Sequence, residues 1–220
     1  RKKISTVSGQ VSGTLSNFPV VIELSGDSDL STHAQAGGED IRLTSSDGTT
    51  LLDYERVSYS SGDLELWFEA TTITDGSEFY LYYGNALASD GENATGVWPS
   101  EFEAVYHLGE SSGSTAFDST GNAHDGTYNG SLPDATASQV GMGQSCVEGS
   151  ADYVQIGDEA ELEGMSELTL MGWFRADSIP GGSDGDYHGA GGAATKYLIH
   201  KCGADDNDIY ALSLANDRVG

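Results

Sequence analysis

Two short runs set the fold class. Leu64-Glu65-Leu66-Trp67-Phe68-Glu69-Ala70 and Glu78-Phe79-Tyr80-Leu81-Tyr82-Tyr83 alternate with a period of two. Successive side chains of a strand face opposite ways, so this pattern belongs to half-buried strands. Phe18-Pro19-Val20-Val21-Ile22-Glu23-Leu24 is a third β-rich run. Asp40-Ile41-Arg42-Leu43-Thr44 alternates and then breaks at Ser46-Asp47-Gly48, a turn signal. Further along, strands are expected at Ala104–Leu108, Asp152–Ile156, Leu168–Arg175, Tyr197–His200 and Ile209–Leu214. No segment holds a 3.6-residue apolar period over more than two turns. With 30 glycines and only 4 prolines, many turns join short strands. The chain is therefore expected to be all-β, with two tandem antiparallel β-sandwiches. The polar stretch Ser89–Gly96 reads as a connection. It divides the chain into a first domain at 1–92, a linker at 93–100 and a second domain at 101–220.

Charge speaks to setting rather than fold. The 220 residues carry 9 lysines and arginines against 35 aspartates and glutamates, a formal net charge of -26. From Val57 to Phe174 there is no lysine and no arginine, against 20 acidic residues. In dilute buffer such a chain repels itself, and molar salt screens that repulsion over about 3 Å. A protein that works in concentrated salt fits this composition, as does an acidic extracellular domain at ordinary ionic strength. Nucleic acid is excluded as a partner because no basic surface neutralises phosphates. No apolar run reaches the about 20 residues that cross a bilayer, so no membrane insertion is expected. The chain starts at Arg1 and stops soon after a strand signal. It reads as a processed or excised piece.

Cys146 and Cys202 are too few for a disulfide scaffold. A bridge between them and two free buried thiols are both open. No Cys/His spacing suggests zinc. Among five scattered histidines, His107 and His200 are expected to pack against a sheet. No nucleophile elbow, phosphate loop or dinucleotide fingerprint occurs. Carboxylate pairs arise by chance among 35 acidic residues, so none marks a glycosidase.

Several motifs resemble known families. Asn17-Phe18-Pro19-Val20, Gly38-Glu39-Asp40-Ile41-Arg42-Leu43-Thr44, Leu52-Asp53-Tyr54-Glu55, Leu66-Trp67-Phe68 and Phe79-Tyr80-Leu81-Tyr82-Tyr83-Gly84-Asn85 resemble the bacterial and archaeal family DUF2341, over about residues 15–88. That resemblance implies a β-sandwich module of a large secreted or surface protein, with no catalytic residues. The second half resembles the laminin-G-like, concanavalin-A-like lectin superfamily. The residues are Val105-Tyr106-His107-Leu108-Gly109-Glu110, Asp118-Ser119-Thr120-Gly121-Asn122, His124-Asp125-Gly126, Asp152–Ile156 and Leu168–Phe174. It implies a jelly roll that binds glycans or proteins, in some members with calcium. A complete jelly roll needs more strands than 101–220 provides, so the chain is expected to continue or to borrow strands from a partner.

Candidate sites follow. Asp118, Asn122 and Asp125 surround a Ser-Thr-Gly turn. They suit calcium, which takes oxygen ligands, and they also suit an Asx turn bonding its own backbone. Asp205-Asp206-Asn207-Asp208 is a weaker acidic loop. Tyr187 and His188, in the glycine-rich segment Gly181–Thr195, and Tyr128 are the candidate ligand-binding residues, with aromatic faces for sugar rings. Trp67, Tyr80, Tyr82 and Trp173 alternate along strands and are expected in the core. Asn93-Ala94-Thr95 and Asn129-Gly130-Ser131 are glycosylation sequons if the protein is exported.

The expected function is non-enzymatic adhesion or receptor binding. It would act outside the cell, on the surface of a halophilic microbe or the virion of its virus, with a glycan or surface glycoprotein as partner. Two alternatives are the accessory carbohydrate-binding part of a secreted polysaccharide-degrading enzyme, and a structural subunit of a surface or virion assembly with other subunits as partners.

Overall fold

The computed structural model describes residues 1–147, 150–176, 195–202 and 208–215. Strands dominate, and the ladders are antiparallel. In chain order they are β1 (Lys2–Ser5), β2 (Leu15–Leu24), β3 (Arg42–Thr44), β4 (Tyr54–Ser60), β5 (Asp63–Ile73), β6 (Glu78–Tyr82), β7 (Thr115–Ala116), β8 (Gly126–Asn129), β9 (Ala135–Ala137), β10 (Met142–Gln144), β11 (Tyr153–Ile156), β12 (Thr195–Cys202) and β13 (Asp208–Ala215). The chain divides into two compact units, Arg1–Glu159 and Ala160–Gly220.

In the first unit β5 is the middle strand of a sheet ordered β2-β5-β4. Its alternation works as the sequence implies. Leu64, Leu66, Phe68 and Ala70 enter one buried core, leaving Glu65, Trp67 and Glu69 on the opposite face. A second sheet, β1-β6-β3, closes that core with Leu43, Phe79 and Leu81. Phe68 and Phe79 meet edge to face across the layer at 4.9 Å. Pro19, lacking an N–H, lies on β2, whose ladder is formed with β5 alone. Proline in a sheet is confined to such an open edge.

Two local devices fix this layer. Ser61 and Gly62, at φ 51° and 94°, join β4 to β5 in a two-residue turn. Positive φ at both central residues marks the turn whose twist matches a hairpin. A Cβ on Gly62 would lie 2.3 Å from the Asp27 carbonyl oxygen, so no larger residue fits. A one-and-a-half-turn helix, α1 (Ser28–His33), then closes the rim. Asp27 caps it by accepting from the N–H groups of Asp29 and Leu30, and Leu30 is fully buried.

Beyond β6 the chain runs through the polar stretch at 93–100, inside the first unit. Asn93 donates its backbone N–H to the Tyr54 carbonyl at 3.0 Å and its side-chain amide to Asp53 at 3.0 Å. A 3-10 turn at Ala94–Gly96 then packs on β4 and buries Val97 and Trp98. From there the chain crosses the outer face of β2-β5-β4. It carries a small sheet ordered β11-β8-β7 and the β9–β10 ladder.

Two expected strands differ. Ala104–Leu108 forms one isolated bridge, Tyr106 to Asp118, because Asp118 spends its side chain on this turn instead of continuing a ladder. Leu168–Arg175 pairs with no described strand, and Met171 and Trp173 are exposed rather than in the core. Period-two alternation supplies a buried face only when another layer is there to cover it. In the second unit the described ladder is β12 with β13, interrupted by two register shifts. The ion pair Lys201–Glu163, at 3.4 Å, ties β12 to the segment before it.

Candidate functional site

The outer face of β2-β5-β4 carries Glu55 on β4 and Glu65 and Trp67 on β5. Glu55 stands directly opposite Trp67 in the ladder. A strand edge leaves such side chains in water unless something covers them. Here the crossing segment does so, and Glu55 is only 8 % exposed. A buried carboxylate needs partners. Glu55 has three: Trp98 Nε1 at 3.0 Å and His107 Nε2 at 3.0 Å on Oε2, and Ser119 Oγ at 2.6 Å on Oε1. Around it the rings of Trp67, Trp98 and His107 pack together with centroids 5.3 to 5.9 Å apart. Phe102 meets Trp98 edge to face.

The two glutamates are pushed in opposite directions. Burial alone raises the Glu55 carboxyl, but the His107 imidazole, the Ser119 hydroxyl and the Trp98 indole outweigh it and hold the group below the ordinary glutamate value. Burial pushes Glu65 above that value, and the Glu23 and Glu55 carboxylates add to the push against the Trp67 indole. Glu23 faces Glu65 directly across the ladder. Carboxylates driven apart in this way serve acid and base roles in some enzymes. Here both are sealed, at 8 % and 5 % exposure, and every bond to Glu55 comes from the protein itself. The arrangement fastens one layer to another.

An open concavity lies elsewhere in the first unit, at the end of the two-sheet layer. It holds about 390 Å³ and is lined by Ser46, Leu52, Thr71, Thr72, Glu78 and Phe79 among others. Phe79 and Leu52 give it an apolar floor. Ser46, Thr71 and Thr72 are exposed, and their hydroxyls bond no described protein group. Glu78 is held by Lys3 at 2.8 Å.

The residues expected to hold calcium are brought to one turn but committed inwards. Asp118 Oδ1 accepts from the N–H groups of Val105 and Thr120, and Oδ2 from Thr120 Oγ1 and the His124 N–H. The Asp118 N–H donates to Asp125 Oδ1 at 2.9 Å. Asn122 turns away and donates its amide to the Glu103 carbonyl at 3.0 Å. Among the described residues no group of three or more His, Cys, Asp or Glu side chains is placed to hold a metal ion. Tyr128 is buried, and its hydroxyl donates to Glu110 at 2.6 Å, so its ring offers no open face to a sugar. Tyr187, His188 and the loop Asp205–Asn207 lie outside the described residues. Cys146 is a free, exposed thiol, and the Cys202 side chain is likewise outside them.

Sequence reasoning placed His107 against a sheet, and it does stack on Trp67. Glu55, Trp98 and Ser119 were missed as partners. The only sequence signal for Glu55 was its place in Leu52-Asp53-Tyr54-Glu55, and nothing local relates it to donors 43 and 64 residues away.

Residues 37–123 match the family described as a domain of unknown function, DUF2341. The match begins later and runs further than residues 15–88. It encloses Glu55, Trp67, Trp98, His107 and Ser119 together. It carries no catalytic assignment, and no family match shows a laminin-G-like domain in residues 101–220. No curated protein and no solved structure matches the chain.

Proposed function

We propose that the chain is a non-enzymatic recognition module acting outside the cell, on the surface of a halophilic microbe or the virion of its virus, where it binds a glycan or a glycan-bearing surface protein. The observation that carries this is the concavity at the end of the two-sheet layer. Hydroxyls of Ser46, Thr71 and Thr72 stand free around an apolar floor of Leu52 and Phe79. Sugars present both hydroxyls and apolar C–H faces, and sites for small ligands pair an apolar lining with a few placed polar groups. The groups that look reactive, Glu55, His107 and Ser119, are bonded to one another's layers instead. The acid-rich surface fits concentrated salt.

The finer architecture belongs to the same proposal: two tandem sandwiches, the second a concanavalin-A-like jelly roll that begins within 101–220. So does calcium at Asp118, Asn122 and Asp125, which lie around one turn.

A glycan array probed in molar potassium chloride tests the proposal. The double variant Thr71→Val, Thr72→Val should lose at least tenfold in affinity for any glycan retained, with its melting temperature unchanged. Full affinity in the variant, or no glycan retained by the wild type, overturns it.

A further inference from the structure

We infer that residues 97–144, together with β11 paired to β8, form a detachable strap, latched by glutamates onto the outer face of β2-β5-β4, that acid releases as a unit while the two-sheet core stays closed. The geometry separates the two layers by chemistry. Beneath the sheet the core is a continuous cluster of apolar side chains, among them Ile22, Leu43, Leu66, Phe68 and Leu81. Above it, the hydrogen bonds between strap and sheet end on carboxylates. Trp98, His107 and Ser119 converge on Glu55, and at the far strand the Gly141 N–H donates to Glu23 at 2.9 Å. Gly141 also sits so close to Glu65 that a Cβ there would lie 1.8 Å from its Oε2. The strap is thus held by carboxylates at both sides and by aromatic packing between them. The apolar cluster itself carries no charge, and the carboxylates of Asp40 and Asp27 fasten loops and a helix start at its rim rather than one sheet to the other.

The charged and titratable groups facing Glu55 fix the direction of the effect. His107 faces it from the strap, Glu65 from β5, and Glu92 from the polar stretch before the strap. Arg56, its neighbour on β4, is committed to Asp90 at 2.6 Å. Burial raises Glu65 and Glu92, so they take up protons first as pH falls. Their protonation removes like charge from around Glu55 and leaves the latch intact. Glu55 is held below the ordinary value. Its contribution is therefore complete above the ordinary glutamate range and is lost as pH falls through the depressed value. The neutral carboxyl is then a weaker acceptor, and its three donors on the strap lose a charged partner.

Tryptophan emission reads the strap directly. Trp67 and Trp98 lie in its interface, while Trp173 is already 71 % exposed and contributes a constant background. The full chain is titrated with acid in molar potassium chloride, following emission and far-ultraviolet circular dichroism together. The expected result is a red shift at a pH where the strand signal is still intact. Glu55→Gln should move that emission transition to higher pH by at least one unit. Coincident transitions in the wild type, or an unmoved emission midpoint in the variant, overturn the inference. Should the variant fail to fold, hydrogen exchange on the wild type decides. The ratio of exchange rates between peptides from 97–123 and those from β5 should rise at least tenfold between neutral pH and acid below the ordinary glutamate range, and an unchanged ratio overturns it.

Discussion

The carboxylate of Asp40 accepts the backbone N–H of Gly84 at 2.6 Å, across 44 residues of chain. The same side chain takes the N–H groups of Asn85 at 2.9 Å and Gln35 at 2.8 Å, and Asp40 is buried. Two sequence motifs, Gly38-Glu39-Asp40-Ile41 and Tyr82-Tyr83-Gly84-Asn85, are thereby halves of one feature. Gly84, at φ 94°, turns the chain so that successive N–H groups converge on a single carboxylate.

Asp40→Ala should destabilise the first unit by about 1–3 kcal/mol, since it strips a buried acceptor from three backbone donors. Urea denaturation in molar salt measures this. A loss below about 0.5 kcal/mol, the size of an ordinary surface substitution, would show that the three donors find water instead.

Gly62 and Gly9 both have positive φ, but only Gly62 is enclosed. A Cβ at Gly62 meets the Asp27 backbone at 2.3 Å, whereas one at Gly9 meets nothing within 4 Å. Gly9→Ala should therefore cost about 1 kcal/mol of conformational strain, and Gly62→Ala clearly more, because strain and a backbone clash add. Comparable losses for the two variants would mean the Asp27 loop simply moves aside.

Asp118→Ala removes four hydrogen bonds from the turn at 103–125. Faster amide exchange in that segment is expected, with the β5 amides unaffected. The calcium proposal expects the loss to be larger in millimolar calcium than in a chelator. Equal losses in the two would reject calcium and leave the turn's own hydrogen bonds as the whole role of Asp118.

Glu65→Gln should raise the melting temperature at neutral pH. Burial holds the Glu65 carboxyl above its ordinary value, so ionisation opposes folding as pH rises past the ordinary glutamate range. The amide keeps an acceptor for Trp67 Nε1, now at 3.3 Å from Oε1, and removes a charge facing Glu23. The advantage of the variant should vanish in acid, where the wild-type carboxyl is already neutral.

Salt should stabilise the chain. With a net charge of -26, self-repulsion is strongest in dilute buffer and is screened within about 3 Å at molar ionic strength. Thermal melts from low to molar potassium chloride are expected to rise steadily, and a flat or falling series rejects the halophilic setting.

The sequence alone determined the strands of the first two-sheet layer. Alternation in Leu64–Ala70 and Glu78–Tyr83 is a property of neighbouring residues, and β5 and β6 follow it residue by residue. It likewise determined the acidic surface and the turn residues, since both are matters of local chemistry. What only the tertiary structure decided is where polar groups end. Composition made 93–100 look like a connection, yet it lays Trp98 over Glu55. In sequence Asp118 left both an ion and its own backbone open, and in the fold its oxygens meet four protein donors. Leu168–Phe174 reads as a strand in sequence but meets no described partner strand. The physical reason is the same in each case. A residue's conformational preference is set within a few positions, whereas a carboxylate's partner depends on which distant strand, in which register, covers it.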